Sequence, residues 1–378
     1  MGWSWNFSFL PYGPKWRNHR RVFHQYFNQH AIEPYKPIQL RESRAFLRRL
    51  LDKPEEFGDH ICLAFTATIM DVTYGIKVAD KEDKYVTIAE AAIESASRAG
   101  VPGAYLVDFF PILKHVPTWF PGAGFKRKAE AWRRLSDEFI NGPFEAVKTT
   151  LREHGSDTQP SIASALLRNL PERDSEEAEE LARNVTALAY AGGADTSANV
   201  IRVFFLAMVS YPEAQKKAQA ELDSVIGNSR LPDFSDQKDL PYVNALIKET
   251  LRWQPVTPLA IPHSATADDV YEGYFIPKGS IILGNSWSML RDPIAYPEPE
   301  EFKPERFLKD GELNPAVRDP DTAAFGYGRR ICPGRHFSSS LLYALISSTL
   351  AVYEIGPPLD ERGEPVLVTP EMTSGLLS

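Results

Sequence analysis

A glycine-rich loop at residues 325–334 constrains this 378-residue chain more than any other feature. It reads Phe-Gly-Tyr-Gly-Arg-Arg-Ile-Cys-Pro-Gly and presents one cysteine just before an apolar helical run. Glycine adopts positive φ at little cost and lets the backbone approach a flat ligand closely, so we expect both properties at Gly326, Gly328 and Gly334. Arginines beside a thiol lower its pKa. The loop therefore predicts that Cys332 is held as a thiolate against a metal.

The complete spacing Phe-x-x-Gly-x-Arg-x-Cys-x-Gly narrows the interpretation. Taken alone, a single cysteine is usually a small buried apolar residue, and glycine-rich loops before helices are common. The full pattern is rarer and resembles the haem-thiolate loop of the cytochrome P450 family, in which the cysteine is the axial ligand of haem iron. The resemblance implies a haem b cofactor with Cys332 as its metal ligand, and cofactor contacts from Phe325, Gly328, Arg330 and Gly334.

The composition is that of a folded enzyme. Apolar residues make up 43% and charged residues 24% of the chain, near the averages for globular domains. Cys62 and Cys332 are its only cysteines, which favours a reducing, intracellular compartment. The formal charge of −8 argues against generic nucleic-acid binding. No shift in composition marks a boundary, and the resemblance implies a single cytochrome P450 domain over residues 1–378, incomplete at both termini.

Apolar periodicity predicts a mainly α fold with small β-sheets, of the α+β class. Helical spacing covers most of the first two thirds of the chain, and short strands with long irregular connections follow. A proline-rich, loop-forming interval lies between residues 102 and 121. The sequence lacks an apolar run of the ~20 residues that span a membrane. We expect helices at residues 17–28, 38–51, 61–75, 125–154, 176–210 and 340–353.

The long helical pattern at residues 176–210 is interrupted by Gly192 and Gly193. Each glycine costs about 0.5–1 kcal/mol relative to alanine inside a helix, so the pair needs a compensating reason. Close approach of a ligand is one reason, and tight packing of a kinked core helix is the alternative. We expect Thr196 to bond back to a helix carbonyl and to bend the helix there.

The order Gly-Gly-x-Asp-Thr in this segment resembles the oxygen-activation helix of the same family. The resemblance implies that Gly192 and Gly193 face the cofactor. It also implies that Asp195 and Thr196 are catalytic and relay the protons that dioxygen activation consumes.

A buried structural network is predicted from two short motifs. Glu249 and Arg252 stand at i and i+3 on one helical face, where side chains are neighbours. Arg306, in Pro-Glu-Arg-Phe, supplies a second guanidinium, and a carboxylate held by two guanidiniums tolerates burial better than an isolated pair. The family has this triad. By resemblance, the three residues lock the region around the cysteine loop and do not touch substrate.

Haem carries two propionates, which need cations or strong donors when partly buried. Trp16 and Arg20 have the Trp-x-x-x-Arg spacing of a helix that grips a propionate in the family. His263 follows an Ile-Pro pair where a propionate donor is often placed, and Arg330 lies two residues before the cysteine. The alternatives are a solvated helix face for Arg20, among Arg17, His19 and Arg21, and a loop residue with local bonds for His263.

The resemblance implies a haem-thiolate monooxygenase that inserts one atom of O2 into a small organic substrate, lipophilic or from secondary metabolism. Basic residues on the first helix and beside the cysteine loop predict a positive patch for an acidic electron donor, NADPH-cytochrome P450 reductase or a similar protein. The expected partners are this donor, O2 and substrate, without nucleic acid. The alternatives are an isomerase, dehydratase or reductase that does not use dioxygen, and a catalytically silent haem-binding fragment. The basic residues are Arg17, Arg21, Arg329, Arg335 and His336.

The two ends of the chain depart from the family pattern. Family members carry an N-terminal sheet region before the Trp-x-x-x-Arg helix and one more strand after the C-terminal segment. We therefore expect a chain truncated at both ends, without the N-terminal sheet region and the last C-terminal strand. The style of the motifs is eukaryotic, microsomal and fungal. It implies that the full-length form lies at the endoplasmic reticulum membrane, on the cytosolic face.

Overall fold

A computed structural model describes residues 1–100 and 103–368 of the chain. These residues form a mainly helical fold with small antiparallel sheets, which confirms the predicted fold class. The predicted departure at the C-terminal end falls after residue 368, outside the described part of the chain. Pro102, in the predicted loop-rich interval, also lies outside it.

Helices account for most of the described chain. In chain order they are α1 (Pro14–Phe27), α2 (Lys36–Asp52), α3 (Phe57–Tyr74), α4 (Lys84–Gly100), α5 (Leu106–Phe109), α6 (Gly124–His154), α7 (Ile162–Arg168), α8 (Ser175–Ala194), α9 (Thr196–Ser210), α10 (Pro212–Val225), α11 (Pro241–Trp253), α12 (Ser286–Leu290), α13 (Asp321–Ala324) and α14 (Arg335–Leu350).

The strands are short and form two-stranded antiparallel pairs. They are β1 (His263–Ser264), β2 (Asp269–Tyr271), β3 (Tyr274–Ile276), β4 (Ile281–Ile282), β5 (Leu308–Lys309) and β6 (Glu312–Leu313). The pairs are β1 with β4, β2 with β3, and β5 with β6. In register, His263 faces Ile282, Asp269 faces Ile276 and Leu308 faces Leu313.

The predicted helices are all present, and their ends differ by a few residues. The pattern at 17–28 corresponds to α1, and the pattern at 125–154 to α6. The largest difference is at residues 176–210, where Asp195 separates α8 from α9, so that the expected single helix is two. The last helix begins five residues before the predicted residue 340 and ends at Leu350.

The chain divides into two compact units. The first contains Met1–Ala198 and His336–Leu341, and the second contains Asn199–Arg335 and the segment that begins at Leu342. The expectation of a single domain over residues 1–378 stays a prediction. In each helix of the described part, the sequence is too short or too polar to cross a membrane.

The core of the first unit is built on α3. All residues from Ala64 to Tyr74 are buried, which is typical of a helix surrounded by other elements on every side. Phe337 of α14 packs its ring edge against Phe27, with 5.7 Å between the ring centroids. Gln39 of α2 donates to the backbone carbonyl of Phe337 at 3.1 Å. These contacts fix the start of α14 within the first unit.

The second unit is organised around α11. Its residues 245–247 and 249–253 are buried, and Ala245 among them belongs to an apolar cluster. That cluster consists of Ala245, Leu290, Tyr296, Phe307 and Ala323, with Tyr327 packed against it. Because Tyr327 belongs to the glycine-rich loop, the loop is anchored to the core of this unit.

Candidate functional site

The cysteine loop has the positive φ angles that were expected of its glycines at two of three positions. Gly326 has φ 77° and Gly328 has φ 55°, in the left-handed region that favours glycine. Gly334 has φ −92°, so the prediction of positive φ is wrong there. This residue leads directly into α14, and its backbone is already close to the helical region. Gly334 is therefore the N-cap residue of α14.

Cys332 is half-buried at the end of this loop. Its backbone N–H donates to the carbonyl of Phe325 at 2.7 Å, which closes the loop on itself. The amide of Cys332 is therefore used in the turn. A guanidinium nitrogen of Arg335 donates to the carbonyl of Cys332 at 3.3 Å. Burial lowers the pKa of Arg330, because a buried guanidinium has less water to stabilise its charge. An anion beside it would act in the opposite direction and favour the charged form.

The break between α8 and α9 carries the Asp-Thr pair. Asp195 lies at the junction, and the hydroxyl of Thr196 donates to the carbonyl of Gly192 at 2.8 Å. This bond confirms that Thr196 bonds back to a helix carbonyl. A hydroxyl that bonds back to the preceding turn in this way is typical of a bend in a helix.

The two glycines before this break have different surroundings. A Cβ at Gly193 would lie 3.0 Å from Cγ1 of Ile69, so α3 packs closely against this residue. Tight helix packing, the alternative to ligand approach, therefore explains Gly193. A Cβ at Gly192 would meet no heavy atom within 4 Å. Contact of either glycine with a cofactor stays a prediction.

An acidic neighbour of Asp195 was missed by the sequence reasoning. Burial, together with the negative charges of Asp59 and Asp195, raises the pKa of the Glu90 carboxyl on α4. The carboxyl groups of Asp59, on α3, and Asp195, at the α8–α9 junction, are thus close enough to affect the protonation of Glu90. No local motif marks Glu90, because its relation to Asp195 depends on tertiary packing.

Helix α1 carries the predicted propionate residues. Trp16 is buried and its ring lies 5.1 Å from that of Tyr12, between centroids, while Arg20 is half-buried. His19, one of the neighbours on which the solvated-face alternative for Arg20 rested, is buried. Its Nδ1 lies 2.8 Å from the carbonyl of Lys15, and its Nε2 lies 3.3 Å from the Asn184 amide nitrogen. The burial of His19 weakens the solvated-face alternative for Arg20, and contact of Arg20 with a propionate stays a prediction.

The carboxylate of Glu249 is bound by both predicted arginines. Arg252 donates Nε to Oε2 at 2.7 Å and Nη2 to Oε1 at 2.9 Å. Arg306 donates Nε to Oε1 at 3.0 Å, and the backbone N–H of Lys303 adds a bond of 2.7 Å. The Glu249 and Arg252 side chains are 0% exposed and that of Arg306 is 7% exposed. The charged groups are thus buried together with their hydrogen bonds made.

The same arginines also bind backbone carbonyls of the following segment. Arg252 donates Nη1 to the carbonyls of Leu290 and Pro299, at 3.0 and 2.8 Å. Arg306 donates Nη1 to the carbonyl of Pro297 at 2.6 Å. This geometry ties the end of α12 and the irregular chain after it to α11. The locking function of the triad remains a proposal, which these contacts support.

His263 is less informative. Its side chain is exposed on β1, opposite Ile282 of β4. Contact with a propionate stays a prediction, and so does the alternative of a loop residue with local bonds. The exposed basic residues Arg17 and Arg21 lie on α1, and the exposed Arg329 lies in the cysteine loop.

Comparison with known proteins assigns nearly the whole chain to one family. The family model described as Cytochrome P450 matches residues 3–375. Cytochrome P450 monooxygenase COX2 of Coprinopsis cinerea is 47% identical over 369 residues, which are 97% of this chain and 70% of the relative. Tryptamine 4-monooxygenase of Psilocybe cyanescens is 41% identical over 378 residues, 99% of this chain and 74% of the relative. Cytochrome P450 monooxygenase COX1 of Coprinopsis cinerea is 42% identical over 381 residues, which cover 100% of this chain and 74% of the relative.

The class of protein that follows is a haem-thiolate monooxygenase, an oxidoreductase. The chain belongs to the cytochrome P450 family. Members of this family use haem with a cysteine thiolate as axial ligand, and its monooxygenases need O2, a substrate and an electron donor. The monooxygenase names of the fungal relatives support the predicted reaction over a silent haem-binding fragment.

The donor set of this chain fits that cofactor. Cys332 offers a half-buried sulfur, the soft ligand that haem iron accepts in this family, at the end of a closed and anchored loop. Arg330 offers a desolvated guanidinium of the kind that binds carboxylates.

Proposed function

We propose that Cys332 is the axial thiolate and that the protein inserts one atom of O2 into a small organic substrate, lipophilic or from secondary metabolism. The observation that carries this proposal is the loop closed by the Cys332–Phe325 backbone bond, with positive φ at Gly326 and Gly328. Bound haem supplies the redox chemistry, and electron donation from the thiolate favours cleavage of the O–O bond. Residues 1–378 form one domain in this proposal, which the span of the family match supports.

Proton delivery is assigned to Asp195 and Thr196. The hydroxyl of Thr196 gives its hydrogen to the Gly192 carbonyl, so its oxygen is oriented and has lone pairs to accept a further bond. The negative charge of Asp195 helps to raise the pKa of the Glu90 carboxyl, which favours the protonated form of Glu90 as a source of protons near the α8–α9 junction. Asp195→Asn should lower the pKa of Glu90, since one negative charge is removed.

Cofactor orientation is assigned to the predicted propionate residues and to the cysteine loop. Trp16, Arg20, His263 and Arg330 bind the propionates in this proposal. Support comes from the half-buried position of Arg20, the burial of Trp16 and the lowered pKa of Arg330. Phe325, Gly328 and Gly334 shape the turn that presents the sulfur. Glu249, Arg252 and Arg306 hold the segment that precedes the loop.

The electron donor is proposed to be NADPH-cytochrome P450 reductase or a similar protein. The exposed guanidiniums of Arg17, Arg21 and Arg329 support an acidic partner, because complementary charge steers association. We place the protein at the endoplasmic reticulum membrane, on the cytosolic face. Apolar side chains exposed in and after α5 support a lipid surface, with Trp119 the most exposed at 78%. They are Leu106, Phe109, Phe110, Ile112, Trp119 and Phe120.

The experiment compares Cys332→Ser with the matched variant Cys62→Ser, in the haem-loaded chain. We expect the reduced, carbon-monoxide-bound spectrum to show the band of thiolate ligation in the unaltered protein and in Cys62→Ser. The band should be absent in Cys332→Ser. An unchanged band in Cys332→Ser would exclude the proposed ligand.

Turnover with a reductase then tests the reaction. Lipophilic compounds and tryptamine, named for one relative, form the substrate panel. We expect oxygenated product from the unaltered protein. Thr196→Ala should keep the thiolate band and form product several-fold more slowly, because the protein then lacks the oriented hydroxyl. A Thr196→Ala variant at full rate would remove this residue from proton delivery.

A further inference from the structure

The aromatic residue inside the cysteine loop, Tyr327, makes specific contacts that no motif requires. It stands between the two positive-φ glycines, and its hydroxyl lies 2.5 Å from the hydroxyl of Ser286. Ser286 in turn donates to the carbonyl of Ala323 at 3.1 Å. The tyrosine hydroxyl also lies 3.4 Å from the sulfur of Met289. A chain of hydrogen bonds thus joins the loop to α12 and α13.

The ring of Tyr327 packs directly against the backbone of Gly284. A Cβ added at Gly284 would overlap atom Cε2 of the Tyr327 ring, far inside van der Waals contact. The φ of Gly284 does not lie in the left-handed region, so the backbone does not itself demand glycine here. The absence of a side chain at this position therefore serves close approach of the ring.

Helix α12 is held at its other end by the buried network. Arg252 donates to the carbonyl of Leu290, the last residue of α12, while Ser286 at its first residue binds Tyr327. Leu290 and the Tyr327 ring also pack in the same apolar cluster. The short helix therefore connects the Glu249 network to the turn of the cysteine loop.

We propose that Tyr327 is a positioning residue that fixes the turn at Gly326–Gly328 and thereby the place of the Cys332 sulfur. The inference rests on the proposed function, in which Cys332 is the axial ligand. Two glycines make this turn flexible in the unfolded chain, and ordering it costs conformational entropy. The Tyr327 ring and hydroxyl supply contacts that hold the turn in one conformation. A looser turn would let the Cys332 sulfur occupy more than one position and would weaken its bond to a haem iron.

The test uses the haem-loaded full chain with Tyr327→Phe, which deletes the hydroxyl and keeps the ring. Its matched control is Tyr274→Phe, on β3, where the side chain is 76% exposed. The readouts are the rate at which the thiolate-ligated carbon-monoxide band is lost on mild heating, and the reduction potential of the iron. We expect Tyr327→Phe to lose the band several-fold faster and to shift the potential, and Tyr274→Phe to match the unaltered protein.

A double-mutant cycle tests the packing separately. Gly284→Ala should lose the band faster than the unaltered protein, because the new methyl group displaces the ring. Tyr327→Ala in the same chain should make Gly284→Ala nearly harmless, since the space is then available. Additive effects of the two substitutions would contradict the proposed contact. If Gly284→Ala does not fold alone, recovery of folding in the double variant supports the contact just as directly.

The outcomes separate the two proposals. Lack of a thiolate band in the unaltered protein would overturn the ligand assignment and the positioning role with it. A normal band in the unaltered protein, with unchanged rate and potential in Tyr327→Phe and additive effects in the cycle, would overturn the positioning role alone.

Discussion

Two buried carboxylates, Glu249 in the second unit and Asp71 in the first, each bind two cationic side chains, but the cations have very different surroundings. Around Glu249, the side chains of Arg252 and Arg306 are 0% and 7% exposed. Asp71 accepts from Arg41 and Lys77, which are 46% and 55% exposed. Gln159 adds a hydrogen bond to Asp71 at 2.7 Å.

This difference shows that burial of the carboxylate does not by itself determine how much a network contributes to stability. Removing the charge of Glu249 leaves two guanidiniums in a dry interior, where they cannot be hydrated. Removing the charge of Asp71 leaves cations that already face water and can turn toward it. The cost of disrupting each network therefore depends on where its cations lie.

The largest effect is expected at Glu249. Glu249→Gln should lower the free energy of unfolding by about 3–5 kcal/mol, the range for removing one partner of a buried ion pair. Chemical denaturation of the haem-loaded protein measures it, with the exposed Glu361→Gln as control. A loss as small as that of the control would mean that the network contributes little to stability.

A smaller effect is expected at Asp71. Asp71→Asn should cost about 1.5–3 kcal/mol, the range for hydrogen bonds to charged groups, because the amide keeps part of the bonding and the cations reach solvent. The same denaturation experiment measures it. If Asp71→Asn proves as costly as Glu249→Gln, the exposure of the cations is not what separates the two regions.

His19, also in the first unit, extends the comparison to a buried group without a close ion pair among the described residues, because burial favours its neutral form. Burial lowers its pKa from 6.5, so the unfolded chain binds a proton that the folded chain resists. Stability from this residue is present above about pH 6.5 and is lost as the pH falls toward the lowered pKa, by at most about 1.4 kcal/mol per pH unit. Denaturation midpoints at pH 7.5 and 5.5 measure the slope, which His19→Gln should reduce and the exposed His30→Gln should not. Equal slopes in both variants would count against the neutral burial of His19.

The smallest effect is expected at Lys77. Lys77→Met should change the free energy of unfolding by about 0–1 kcal/mol, as for exposed ion pairs, and added salt should reduce the difference further. Arg306→Met is the matched change in the other region and should be several times more costly. Similar values for Lys77→Met and Arg306→Met would remove the contrast between the networks.

Local patterns predicted the parts of the site whose partners are near in sequence. The bond from Thr196 to Gly192 spans one helical turn, and the pair Glu249–Arg252 lies on one helical face. Both follow from helical geometry. The turn at Gly326 and Gly328 follows equally from the freedom of glycine at positive φ.

Contacts between distant segments could not be predicted in this way. Asp71 and Gln159 are 88 residues apart, and Tyr327 meets Gly284 only through tertiary packing. Helix α4 was missed as well. Its buried residues are the small ones, Ala89, Ala92 and Ser95, whose burial depends on close packing against other elements.

The spacing of the Glu249 network along the chain has a consequence for synthesis. Glu249 and Arg306 are 57 residues apart, and ribosomes add residues from the N-terminal end. Until Arg306 has emerged, a nascent chain has the acid and one arginine but not the second cation, and the carbonyls that Arg306 binds have no donor from it. The region ahead of the cysteine loop can therefore close only after most of the polypeptide has been made. Chains released before Arg306 is added would lack this arginine, and their unpaired buried groups would make them targets for chaperones and proteases.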